Sequence, residues 1–273
     1  MSANPFTDSR FVANHLYTSP ARMARRSGTL HAAKIRGEDA TVTIVDLAAR
    51  NAVASPVVCD IGCGRGTTTL RLAAHLAPAR LIALDKSQPL LDTVTQRVQA
   101  AGHTVETICA DFHHLPLPEA TVDVAVAAFC LYHSPHPQVA VGEIARCLTR
   151  GGRAVLATKS ANSYTEIDEL FTACGLDAHA TARPSLYETF HSGNAAEIVS
   201  TTMGIDEVVN QSHAFRFTDL AQLATYAATS PKHDIPEALR GNAELLAAEL
   251  RCRIPDGPLV VTSTVTYVTA VRL

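Results

Sequence analysis

At 273 residues, 47% hydrophobic and 18% charged, the chain can bury a sizeable core and is too apolar to remain disordered. Its net charge of −3 lacks the basic footprint of a nucleic-acid-binding protein, so no nucleic-acid partner is expected. No run of about 18 apolar residues is available for a membrane span, and the first residues, Met-Ser-Ala-Asn-Pro-Phe-Thr-Asp, lack the basic and apolar regions of a signal peptide, which makes a cytoplasmic setting the default expectation.

Residues 10–50 carry helical periodicity, interrupted at Pro20, and no strand signal precedes residue 56. From 56 to 158, strands are expected at 56–60, 81–85, 105–109, 122–128 and 153–158, with helices at 67–77, 88–101 and 137–149 between them. Such alternation is the sequence form of a parallel α/β sheet. Ser87 is placed to cap the second helix, with Pro89 tolerated in its first turn. Gly151-Gly152 marks the turn into the fifth strand. Beyond 158 the pattern becomes a helix at 163–174, a loop through Pro184, and a helix at 194–203 that opens with the capping-box spacing of Asn194 and Glu197. A strand at 205–217, helices at 218–229 and 236–252, and a Val- and Thr-rich strand at 259–271 complete the chain. The seven cysteines are scattered and form no C-x-x-C pair, so they read as reduced thiols and no metal site is expected.

The chemistry concentrates at Asp60-Ile61-Gly62-Cys63-Gly64-Arg65-Gly66, where an apolar strand meets a helix. Glycines at such a turn accept positive φ and let a ligand press against bare backbone, and the helix start offers unpaired N–H groups. A nucleotide-like ligand is therefore expected. A dinucleotide fingerprint, G-x-G-x-x-G, would need glycine at 67, where Thr67 stands. The next strand, Leu81 to Asp85, ends in an acid placed to accept hydrogen bonds from both hydroxyls of a ribose. That suits several adenosine-containing ligands. It leaves an NAD-dependent oxidoreductase as an alternative and counts against NADP, whose 2′-phosphate it would repel.

The D-x-G-x-G-x-G run closely resembles motif I of class I S-adenosylmethionine-dependent methyltransferases. Leu131-Tyr132-His133-Ser134-Pro135, then Glu143-Ile144-Ala145-Arg146-Cys147-Leu148 and Gly151-Gly152, resemble a bacterial small-molecule group of that family. Thr149-Arg150 departs from its usual Lys-Pro. The resemblance implies an α/β fold: a Rossmann-like seven-stranded methyltransferase sheet with helices on both faces and a helical cap, the last strand antiparallel. It implies one domain over 1–273, with an N-terminal helical lid at 1–55, a cosubstrate-binding core at 56–160, a core helix, sixth strand and cap insertions at 161–258, and a terminal strand at 259–273.

The resemblance also implies S-adenosyl-L-methionine as cosubstrate and assigns residues to it. Asp60, Gly62, Cys63, Gly64 and Gly66 would lie beside its amino-acid moiety, with Asp60 fixing the ammonium directly or through water. Asp85, Lys86 and Ser87 would flank ribose and adenine, and Asp111 and Phe112 the adenine ring. Phe129 ends the fourth strand beside the same ligand, and Tyr17, Arg25 and His31 of the N-terminal helices would close over it. His113 and His114 read as loop histidines, since adjacent side chains diverge. Tyr132 and His133 are the catalytic candidates, His133 as a general base. A structural or cosubstrate-contacting histidine is the plainer reading of His133, because transfer to a nucleophilic acceptor needs mainly alignment and exclusion of water. Tyr187, Phe190 and His191 are further candidates for the acceptor pocket. The implied reaction is methyl transfer to a small-molecule acceptor, with a natural-product metabolite as the setting. A non-methylating protein on the same fold is the second alternative.

Overall fold

The computed structural model describes residues 5–8, 20–230 and 232–273. Tyr17 and the start of the N-terminal helical stretch lie outside them. The described residues form two compact units: one comprises those within 1–37, 162–186 and 212–264, the other 38–161, 187–211 and 265–273.

The second unit contains the alternating region. Helix α2 (Ala40–Ala49) starts at Asp39, whose carboxylate accepts from the Thr41 N–H at 2.9 Å. Strand β2 (Val57–Ile61) follows, then α3 (Thr67–Leu76), β3 (Arg80–Asp85), α4 (Gln88–Ala100), β4 (Glu106–Cys109), β5 (Val122–Ala128), α5 (Pro137–Cys147) and β6 (Leu148–Lys159). β2 pairs in parallel with β3 and β5, β3 with β4, and β5 with β6. Short βα connections put every parallel strand's carboxyl end on one edge, where such sheets bind ligands. The core on one face joins Ile44, Leu47, Leu72 and Leu76 to Val58, Val126, Val155 and Tyr267, and α5 packs with α7 (Ala195–Ser200). A smaller cluster, Leu91, Val94 and Val98, seats α4 against Cys63 and Ala83. That contact fixes the glycine turn from behind.

In the first unit, α1 (Pro20–Ala33), β1 (Lys34–Arg36), α6 (Thr165–Ala173), α8 (Leu220–Ala227) and α9 (Ala243–Arg253) surround a core of Tyr164, Phe171, Phe217, Leu223, Leu246 and Leu250. Buried Asp168 takes the Lys232 ammonium and His233 Nε2 (2.9 Å). Strands β7 (Gly204–Phe217) and β8 (Leu259–Val271) run through both units. The sheet order is β1-β7-β8-β6-β5-β2-β3-β4, and β8 is antiparallel to β6, as the resemblance implies for the terminal strand.

Three local expectations are corrected. Among the described residues the sheet has eight strands, not seven, because Lys34–Arg36 pairs antiparallel with Ala214 and Phe215 of β7. Three residues are too few to show alternation. Ser87 stands at the N-cap of α4 without a side-chain bond to it; its N–H donates to Asp85. Asn194 precedes α7 but caps nothing: its Oδ1 accepts from the His191 N–H at 2.7 Å.

Candidate active site

Gly62, Gly64 and Gly66 all hold positive φ, at 66°, 56° and 72°. The Gly62 and Cys63 N–H groups donate to the Leu84 carbonyl at 2.7 and 3.0 Å, which folds the turn over the end of β3. A Cβ at position 62 would sit 2.6 Å from Cys130 Cβ, and one at 66 would sit 2.9 Å from Val94 Cγ2. Both sites therefore need glycine for conformation and for space. Behind the turn, Asp60 is 1% exposed and accepts from Thr69 Oγ1 at 2.6 Å. Burial raises its carboxyl to about 7, against the Thr69 hydrogen bond and with help from the Asp85 charge.

Asp85 ties the turn to the next loop. One carboxylate oxygen accepts from the Gly64 N–H (2.9 Å) and the other from the Ser87 N–H (3.0 Å). Burial raises its pKa while these backbone donors pull the other way. Each oxygen still has a lone pair for a further donor, so the carboxylate can accept two neighbouring hydroxyls at once. Lys86 Nζ donates to Asp111 Oδ2 at 2.7 Å, and Asp111 Oδ1 meets the His113 N–H (2.9 Å) and His113 Nδ1 (2.6 Å). Burial pushes the Asp111 carboxyl up, but the hydrogen bonds from Lys86 and His113 outweigh it and hold it at about 2. His113 Nε2 reaches the fully buried Ser134 Oγ at 2.7 Å. His113 is thus a structural strut between the loop after β4 and the loop after β5. Phe112 lies half-buried against it, with ring centroids 4.7 Å apart.

A second group of side chains gathers at the carboxyl ends of β5 and β6. Phe129 leaves β5 with φ 58° and donates its N–H to the Ala157 carbonyl at 2.8 Å. Leu131–His133 form a 3-10 turn. The Tyr132 ring packs edge-on against His133 (4.6 Å) and Tyr187 (4.9 Å), and the Tyr132 carbonyl accepts from Thr189 Oγ1 at 3.0 Å. Lys159 Nζ lies 5.6 Å from the Phe129 ring centre and 5.9 Å from that of Tyr187.

Asp60, Gly62, Cys63, Gly64, Gly66, Asp85, Lys86, Ser87, Asp111, Phe112, Phe129, Tyr132 and His133 all fall in the second unit; Arg25 and His31 stand on α1 in the first. Phe190 is fully buried and Tyr187 nearly so, which makes Phe190 a core residue instead of a pocket wall. Three contributors escaped the sequence reading. Thr69 and Ser134 are buried partners of chosen residues, and no local pattern marks them. Lys159 did carry a signal, because it ends a strand as Asp85 does.

A methyltransferase domain model matches residues 59–156. Malonyl-acyl-carrier-protein O-methyltransferase of Herminiimonas arsenicoxydans is 28% identical over 224 residues, covering 80% of this chain and 82% of that protein. The same enzyme of Marinomonas sp. is 31% identical over 121 residues, a match that spans 44% of each chain. Among solved structures, the cyclase SpnF is similar in fold, with a TM-score of 0.60 at 18% identity over 98% of this chain and 97% of that one.

Proposed function

This chain belongs to the class I S-adenosylmethionine-dependent methyltransferase family, and from that premise we propose that it methylates a small-molecule acceptor in specialised metabolism, in the cytoplasm. The observation that carries the cosubstrate assignment is the Asp85 carboxylate, held by the Gly64 and Ser87 N–H groups with lone pairs to spare for a ribose diol. The donor set fits the cosubstrate elsewhere too. The backbone of 62–66 opens toward the start of α3, and Asp60 is a buried acid whose ionisation an ammonium would favour. When bound, S-adenosylmethionine supplies a methyl carbon made electrophilic by its sulfonium.

The chain's own residues then have distinct tasks. Asp85 accepts from the ribose hydroxyls. Lys86 and Ser87 flank the ribose, Phe112 lies along the adenine, and Asp111, pinned by Lys86 and His113, keeps acceptor capacity for the adenine amino group. Tyr132 and Phe129 wall the acceptor side and exclude water, which strengthens every electrostatic contact there. His133, beside Tyr132 on the 3-10 turn, takes the acceptor's proton when the acceptor is a neutral hydroxyl or amine. Tyr17, Arg25 and His31 belong to this reading as parts of a lid, the role the family resemblance gives them. Slowed hydrogen exchange over 10–50 and 185–252 in the ternary complex is the expected outcome, and protection confined to 56–133 would contradict the lid.

Fold alone does not decide between transfer and another reaction. The deciding experiment incubates the purified chain with methyl-labelled S-adenosylmethionine and the metabolites of neighbouring genes. Label in a product together with stoichiometric adenosylhomocysteine supports the proposal. Tight adenosylhomocysteine binding with no label transferred from any of them would favour a non-methylating protein.

A further inference from the structure

We propose that Arg65 and Arg97 form a phosphate-binding site at the glycine turn, separate from the place of the cosubstrate. Arg65 stands between Gly64 and Gly66, and Arg97 reaches it from α4. The Arg97 guanidinium donates from Nη1 to the Arg65 carbonyl, and the same atom lies 3.5 Å from Thr67 Oγ1. Both arginines are half-buried. Elsewhere in this unit Arg50, Arg71, Arg80, Arg146, Arg153 and Arg272 each pair with a carboxylate. Among the described residues Arg97 meets a carbonyl and a hydroxyl instead, and the Arg65 Nε is buried with no hydrogen-bond partner. Burial, and after it the Arg65 charge, lowers the Arg97 guanidinium from its ordinary value, so the two charges lie close enough to repel. A guanidinium does not shed its proton in a folded protein. The repulsion therefore stands until an anion joins the pair, and partial burial makes that attraction stronger than in water.

Position along α4 separates this pair from the ribose acid. Arg97 stands nine residues beyond Gln88, about 14 Å along the helix axis from the end where Asp85 holds the Ser87 N–H. The donor chemistry selects the anion. Each guanidinium presents its N–H groups in a rigid fork, and the bond to the Arg65 carbonyl uses one nitrogen of Arg97 and leaves the others. Thr67 Oγ1, which accepts from Arg97, keeps its own O–H to donate. Two forks and a hydroxyl match the three terminal oxygens and near-double charge of a phosphate group. A carboxylate brings one charge and two oxygens, enough for a single fork. The same phosphate chemistry comes from the free ion or from a phosphorylated metabolite.

The test measures, by calorimetry on the full chain at constant ionic strength, binding of inorganic phosphate, glycerol 3-phosphate and phenyl phosphate, with acetate as the control anion. At least one phosphate should bind about tenfold or more tightly than acetate, with and without saturating adenosylhomocysteine. Tighter binding of an ester assigns the site to a phosphorylated metabolite, and tighter binding of inorganic phosphate assigns it to the free ion. Arg97→Gln should lower that affinity about tenfold or more. Arg65→Gln should do the same, and it removes no side-chain hydrogen bond among the described residues, so it serves if the loss of the Arg97 donor perturbs folding. Phosphates that bind no better than acetate, or affinity unchanged in Arg65→Gln, would overturn the site. Phosphate binding that adenosylhomocysteine displaces would overturn its separation from the cosubstrate.

Discussion

The turn at 60–66 with Asp85, and the aromatic group around Tyr132 and Lys159, lie in the same unit and are built in opposite ways. The first is backbone: three positive-φ glycines, two N–H donors on the Leu84 carbonyl, and a carboxylate clamped by two more N–H groups. The second is side chains drawn from three separate stretches of chain, Phe129 to His133, Lys159, and Tyr187 to Thr189. A site made of backbone serves a ligand that does not change. One made of side chains can be recut for a new acceptor without disturbing the turn.

The largest effect should come from breaking the backbone part. Gly62→Ala forces a Cβ to within 2.6 Å of Cys130 Cβ at a φ of 66°. It should destabilise the chain by roughly 2–4 kcal/mol through strain and overpacking, read as a lower urea midpoint, and abolish cosubstrate binding. The side-chain part should break differently. His133→Ala should lower kcat by about 10²–10⁴-fold while leaving the affinity for adenosylhomocysteine near wild type. Near-normal turnover would reduce His133 to a positioning residue, with alignment and desolvation carrying the reaction.

A smaller effect separates two acids of the site, Asp60 and Asp111. Asp60 has its carboxyl raised to about 7, so between pH 4 and 7 the native state holds a proton that the unfolded chain has released. Its contribution is full below the unfolded pKa and is lost as pH rises toward 7, on the order of a few kcal/mol. Asp60→Asn should flatten that slope in urea titrations taken across this range. Asp111, held at about 2, has the opposite sign: its contribution is present above the unfolded pKa and lost as pH falls toward 2. The smallest expected change is in Arg25→Ala, a several-fold loss of adenosylhomocysteine affinity measured by calorimetry. An unchanged value would remove Arg25 from the site.

Most of the sheet was legible because its strands are short apolar runs ended by acids or glycines. Asp85 stood out because it ends such a run just after the glycine turn. What escaped notice did so for physical reasons. Lys34–Arg36 is a three-residue edge strand whose partner, β7, lies far along the chain. Asn194 has the right chemistry for a helix cap, but a nearer partner, the His191 N–H, claims its Oδ1. The pairing of Lys159 with Phe129 and Tyr187 depends on three loops meeting, which no local spacing encodes. The backbone-built half was therefore readable from pattern, and the side-chain-built half needed the fold.

The central claim is that Asp85 and the glycine turn hold the cosubstrate, and calorimetry of adenosylhomocysteine binding to the wild-type chain and to Asp85→Ala tests it most directly. Loss of a charged acceptor for the ribose hydroxyls should weaken binding by about 1.5–3 kcal/mol, roughly ten- to more than a hundredfold. Equal affinity in the two proteins would contradict the assignment.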